Sequence, residues 1–273
     1  MKTVVLLTNF SETSRKAITG FLKVYLENIG DEYSFKLLNA YSIPKTGMAQ
    51  MLNYEEVLSR FSEQDLQSEY KQILQIPGAK KLKIELLSKQ GDLVDVVEKL
   101  NSEQPIDLIV MGTKGANPFK ELLLESDLDR LVRLSQYPVL VIPENAVFKY
   151  PQKVVFATRV TECKSEKQFR MLAEIIKSFG SELFILNIYK ETKPPVAYFE
   201  EKLSGLLSEV KHSFHYEKND NVAKGITEFV RENGAGLLAF IDDRASLIGK
   251  LFSNSVTNKI SSSGEIPLLI IHK

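Results

Sequence analysis

The sequence predicts an α/β protein made of two tandem parallel-sheet domains, and three observations carry this. Short apolar runs of β-formers alternate with amphipathic stretches along the 273-residue chain. Several runs, such as Val4-Val5-Leu6-Leu7 and Leu108-Ile109-Val110-Met111, are apolar at every position, as expected of strands covered on both faces. The whole pattern then restarts at Val154. Strands alternating with helices imply parallel pairing with helices on both sides of the sheet.

The elements follow in order. After the run Val4–Leu7, Asn9 and Ser11 are candidate N-caps for a helix on which Ala17, Ile18, Phe21, Leu22, Val24 and Tyr25 recur at helical spacing until Gly30. Phe35–Tyr41 reads as the second strand. A long polar helix is expected from about Tyr54 to Ile76, closed by Pro77-Gly78. Leu82–Leu87 is the third strand and Leu93–Leu100 a short helix behind Asp92. Leu108–Met111 is the fourth strand, Ser126–Leu134 a further helix, and Val139–Ile142 the fifth strand.

The second copy repeats this plan with deletions. Val154-Val155-Phe156-Ala157-Thr158 matches Val4-Val5-Leu6-Leu7-Thr8 at an offset of 150, and Leu186–Tyr189 matches Leu38–Tyr41 at 148. Pro267–Ile271 matches Pro138–Ile142 at 129, an offset already reached where Leu237-Leu238 meets Leu108-Ile109. The second copy is therefore shorter by 19 residues (148 minus 129) between its second and fourth strands. The surplus in the first copy is expected around Ser42–Arg60, where Pro44, Gly47, Met48 and Met51 suggest a loop. Repeats of this size are whole domains. The expected division is residues 1–143, a linker over 144–151, and residues 152–273.

Composition excludes several classes. Lys+Arg and Asp+Glu are equal at 35 each, so no net field favours nucleic acid or an anionic membrane. No stretch approaches the ~20 apolar residues that span a bilayer, and the run behind Lys2 is too short for a signal-peptide core. The single cysteine, Cys163, rules out an intrachain disulfide and a multi-Cys zinc site. A reducing, cytoplasmic location is the expectation. His212 and His215 lie three apart in a strand-like segment, which sends them to opposite faces and prevents a shared metal.

The segment VMGTKGANPFKELLLESDLDRLVRLSQYPVLVIP, Val110–Pro143, resembles the signature of the universal stress protein family, and LLTNFSETSRKAI resembles that family's first strand and helix start. The closing AFIDDRASLIGKLFSNSVTNKISSSGEIPLLIIHK is similar to a variant ending in tandem members. The resemblance implies a five-stranded parallel sheet per domain in the order 3-2-1-4-5. It implies an ATP-type site formed in the first copy by Thr8, Asn9, Ala40, Gly112, Gly115 and Ser126, with Ser255 as a weaker remnant in the second. It also implies pairing through the fifth strands, here between the chain's own two halves; a homodimer of whole chains and a protein target are further expected partners.

The chemistry of that site departs from the pattern. Glycines let a phosphate chain approach backbone N–H groups, and the next helix offers its positive N-terminus and a hydroxyl. Gly112 and Gly115 fit, and Ser126 supplies the hydroxyl. Glu125 stands where the family has a glycine. A carboxylate ~4 Å from a phosphate repels it by roughly 4 kcal/mol at an effective dielectric of ~20. Asn9 lacks the charge of the family's usual Asp, and in the second copy Asp242-Asp243 replaces the first glycine region, with Arg159 at the position matching Asn9. There is no Walker lysine, no Gly-x-Ser-x-Gly and no HExxH. The expectation is a non-catalytic stress-response regulator or adaptor whose adenine-nucleotide site is weak or lost. The alternatives are a nucleotide-binding enzyme or ATPase of the same α/β group, or a binding module for another small ligand.

Overall fold

The computed structural model describes residues 2–29, 33–42, 48–113, 130–131, 136–160, 166–242 and 266–272, with the side chains of 48–54 and 242 excepted. The first half contains β1 (Lys2–Leu7), α1 (Glu12–Asn28), β2 (Tyr33–Tyr41), α2 (Met48–Ile73), β3 (Lys83–Gln90), α3 (Leu93–Glu103), β4 (Leu108–Thr113) and β5 (Val139–Pro143). The second contains β6 (Lys153–Ala157), α4 (Glu166–Phe179), β7 (Glu182–Tyr189), α5 (Ala197–Leu206), β8 (His212–Lys218), α6 (Val222–Asn233), β9 (Leu237–Asp242) and β10 (Leu268–His272). Of the helix expected over Ser126–Leu134, all but residues 130–131 lies outside the described residues.

Each half builds the sheet order 3-2-1-4-5, and the two halves join into one ten-stranded sheet, β3-β2-β1-β4-β5-β10-β9-β6-β7-β8. Every pairing is parallel except the joint. There β5 and β10 run antiparallel, with Leu140 opposite Leu269 and Val139 opposite Ile270. Both strands are buried along their whole length. Two apolar edges that would otherwise expose unpaired N–H and C=O groups thus satisfy each other.

Local chemistry sets the helices on this sheet. Ser11 caps α1 by accepting from the Ser14 N–H, with Glu12 in the first turn, and Asp92 and Asn221 cap α3 and α6 in the same way. Gly234 ends α6 at φ +61°, a left-handed conformation that glycine adopts without strain. One core lies between the sheet and α1, α2, α4 and α5, and includes Phe21, Leu66, Phe169 and Leu203. The other lies under α3 and α6, and includes Val97 and Phe229. The linker packs too, its Phe148 ring lying 6.1 Å from Phe21 and 6.4 Å from Phe179.

The surplus of the first half is helix, not the loop expected around Ser42–Arg60. Helix α2 has 26 residues, where its counterpart α5 has 10. Register places the deletion: Leu38 pairs with Leu87, 49 residues on, whereas Leu186 pairs with His215, 29 residues on. Met48 and Met51 are good helix formers and lie in α2, while residues 43–47, with Pro44 and Gly47, lie outside the described residues.

The joint should respond to truncation as one cooperative unit. Leu140→Ala and Leu269→Ala are each expected to cost about 3 kcal/mol. Because the two face each other, the double variant should deviate from the sum by more than ~0.5 kcal/mol in chemical denaturation. Strict additivity would mean that the two edges are not coupled.

A second expectation concerns His272, buried at the end of β10 with neither ring nitrogen hydrogen-bonded. Burial pushes its pKa down from 6.5 to about 4. The unfolded chain therefore binds a proton that the folded chain refuses, and stability should fall as pH drops from about 6.5 to about 4. The loss should be on the order of 3 kcal/mol, and His272→Leu should remove it in denaturation series across that range.

Candidate functional site

In an open parallel sheet, ligands bind beyond the carboxyl ends of the strands where the strand order reverses. In the first half that place lies between β1 and β4, with β2 on the other side of β1. Leu7 pairs with Leu38 and Leu6 with Val110. Thr8, Asn9, Ala40 and Gly112 are therefore carried to one edge of the sheet. Gly115, Ser126 and Ser255, together with Glu125 and Cys163, lie outside the described residues.

The chain between β1 and α1 is held by side chains. The Thr8 N–H donates to the Leu38 carbonyl. The Thr8 hydroxyl donates to Glu69 Oε2 at 2.9 Å and accepts from the Phe10 N–H at 3.0 Å. Phe10 is thereby fixed at φ +62°, a left-handed conformation costing a non-glycine residue roughly 1–2 kcal/mol. The Asn9 side chain accepts from the Ser11 N–H at 3.2 Å, leaving the residue exposed at the mouth of the site. Such stored strain is tolerated only where the surroundings impose it.

Beneath this turn is a buried polar network absent from the sequence-based expectations. Asn39 Nδ2 donates to the Thr8 carbonyl at 2.8 Å, the Ser62 hydroxyl donates to Asn39 Oδ1 at 2.9 Å, and Ser88 donates to Ser62 at 2.8 Å. Glu69, only 2% exposed, adds a carboxylate whose Oε1 has no hydrogen-bond partner, with Arg15 Nε 3.6 Å from its Oε2. Burial holds the Glu69 carboxyl above its ordinary range, against the opposing pulls of the Thr8 hydroxyl and Arg15. A signal was present: Ser62, Leu66, Glu69 and Ile73 follow at helical spacing on one stripe of α2, so two polar residues lie within its core-facing side.

Gly112 has a packing reason of its own. A Cβ there would lie 2.6 Å from the Thr13 carbonyl oxygen and 3.1 Å from Ala17 Cβ, so the glycine admits the first turn of α1 against β4. At the matching register of the second half stands Ile241, a side chain that such an approach excludes. The second half keeps one part of the network: Asn187 Nδ2 donates to the Thr158 carbonyl at 2.9 Å, but its Oδ1 is left without a partner.

The two histidines of β8 do face opposite ways. His212 contacts Ser204 of α5, whereas His215 packs against Phe184 and Phe229, and that burial lowers its pKa. Among the described residues no group of three or more His, Cys, Asp or Glu side chains is placed to hold a metal, and no described helix is long and apolar enough to cross a membrane.

The sequence model of the Universal stress protein family matches residues 1–143. The chain belongs to that family. No curated protein matches it. Among solved structures, a universal stress protein from Archaeoglobus fulgidus is similar over 99% of this chain and 96% of its own, at 20% identity and a TM-score of 0.68. A putative universal stress protein from Pseudomonas aeruginosa is similar over 100% and 93%, at 12% identity and a TM-score of 0.54. A universal stress protein solved in complex with cAMP covers 52% of this chain and 96% of its own, at 22% identity and a TM-score of 0.38. The full-length similarities confirm a tandem universal stress protein fold.

The carboxyl of Glu69 sets a pH dependence opposite in sign to that of His272. Its folded pKa lies above the ordinary 4.5, so the stability that it supports at low pH is lost as pH rises through the folded value. Glu69→Gln should therefore be more stable than the parent at pH 7, with the gain vanishing as pH falls to about 4.5. A variant destabilised at pH 7 in chemical denaturation would show that the charged form is what the site holds.

Proposed function

We propose that this universal stress protein is a non-catalytic stress-response regulator or adaptor whose first half retains an adenine-nucleotide cleft in weakened form. The observation that carries this reading is the pre-ordered turn Thr8–Ser11 at the strand-order reversal, which presents exposed Asn9 beside Ala40 and Gly112. A rigid turn of this kind lowers the entropic cost of receiving a ligand. The weakening has two sources in the residues themselves. Asn9 offers an amide where a carboxylate would assist a ribose or a magnesium ion, and Glu125 brings a carboxylate to the position where the family has a glycine. The second half, with Ile241 at the matching register and Asn187 Oδ1 orphaned, serves as the structural partner that covers the β5 edge.

Calorimetry of the intact protein with magnesium ATP tests this reading, together with mass analysis of any small molecule released on denaturation. Weak binding without turnover is expected, and Asn9→Asp should tighten it by about tenfold while leaving thermal stability unchanged. The existing Asx-type bond to the Ser11 N–H is available to either side chain. A turnover of even ~1 s⁻¹ would place the protein among enzymes instead.

A further inference from the structure

Both halves hold the backbone just past their first strand in the same way, yet only one of them builds a strained turn there. Asn39 donates to the Thr8 carbonyl at 2.8 Å and Asn187 to the Thr158 carbonyl at 2.9 Å. Two residues on, Phe10 is left-handed at φ +62°. Val160, at the matching place, is not, since among the described non-glycine residues only Phe10 has a positive φ. The backbone clamp therefore does not produce the turn by itself.

The difference lies in the threonine hydroxyl, which has one proton to give and two lone pairs with which to accept. In the second half the Thr158 hydroxyl turns to the neighbouring Arg159 carbonyl at 3.4 Å. In the first half Glu69 Oε2 takes the Thr8 proton at 2.9 Å, and the oxygen then has only lone pairs to offer, one of which receives the Phe10 N–H at 3.0 Å. The Ser14 hydroxyl, 3.3 Å from that of Thr8, is a poor substitute for Glu69 as the acceptor. Its oxygen already accepts from the Ser11 hydroxyl, and its own proton goes to the Ser11 carbonyl. Glu69 is itself well fixed, because the same helix is bonded a second time through Ser62 to Asn39.

We propose that Glu69 is the positioning residue of the candidate nucleotide site: by accepting the Thr8 proton it holds Phe10 left-handed and keeps Asn9 at the mouth of the cleft. The proposal rests on the nucleotide reading for what the turn receives, but not for how the turn is held. Glu69 acts through Thr8, since its own side chain is buried while Asn9 is exposed. A left-handed non-glycine residue is intrinsically disfavoured. Released from this hold, the turn would spend most of its time in other shapes, and a ligand binds in proportion to the competent fraction. The position requires an acceptor rather than a charge, so a glutamine carbonyl would serve in place of the carboxylate.

NMR of the intact protein tests this through the short distance between amide and α protons within Phe10 that marks a positive φ, followed by titration with magnesium ATP. Glu69→Leu and Thr8→Val should each remove the left-handed signature and weaken binding about tenfold. Glu69→Gln should restore both relative to Glu69→Leu. Phe10→Gly lifts the penalty on the left-handed shape, so in that background Glu69→Leu should weaken binding by about twofold at most. A left-handed signature that persists in Glu69→Leu would overturn the proposal. So would a full tenfold loss from Glu69→Leu with glycine already at position 10, the result expected of general destabilisation. Thr8→Val keeps the test decisive if Glu69→Leu fails to fold, since a signature surviving in that variant also overturns the proposal. A parent protein that binds no magnesium ATP would remove the nucleotide reading, and the Phe10 signature would still decide whether Glu69 holds the turn.

Discussion

Strand pairing between β5 and β10 is the constraint on which the rest of the architecture depends. A five-stranded parallel sheet in the order 3-2-1-4-5 ends on an apolar strand whose backbone is satisfied on one side only. In this chain both such strands are buried and bonded to each other. The linker is short enough to hold them at high effective concentration, and Phe148 inserts into the groove beside the joint, between α1 and α4. The opposed orientation of the two halves' carboxyl ends follows from that arrangement.

Much of this was legible in the sequence because the signals were redundant. The all-apolar runs Val4–Leu7 and Leu108–Met111, the caps Ser11 and Asp92, and the repeat offsets all pointed to the same sheet, and its order and joint agree with what the family resemblance implied. What escaped was decided by tertiary contact. The length of α2 was underestimated because local turn formers near Gly47 said nothing about what its far turns would pack on. Glu69 and Ser62 read as ordinary polar residues of a polar helix, and only the approach of β1 and β2 turns them into the floor of a site. Gly112 was visible, but its reason was not: the glycine is demanded by the Thr13 carbonyl.

The halves have diverged through one helix more than through their strands. Counted back from the paired strands β3 and β8, α5 has no turn where α2 carries Ser62, and its first turn stands where α2 carries Glu69. The asparagine clamp survives on both sides, since Asn39 and Asn187 each hold the carbonyl of the threonine that directly follows the first strand of its half. Among the described residues, only the first half has the hydroxyl to complete the amide and the carboxylate to hold the threonine side chain. A duplicated domain can thus keep its skeleton while concentrating polar, strained features in one copy, as expected where a site is maintained at some cost in stability.

With both fifth strands consumed, the outermost strands of the ten-stranded sheet are β3 and β8. Neither offers a clean template for further growth. Lys83, Glu85 and Lys89 stand exposed along β3, and Glu217 and Lys218 close β8. Charges of this kind discourage edge-to-edge addition. A protein that begins with two association-prone edges has joined them within itself and left charged residues along its outer borders.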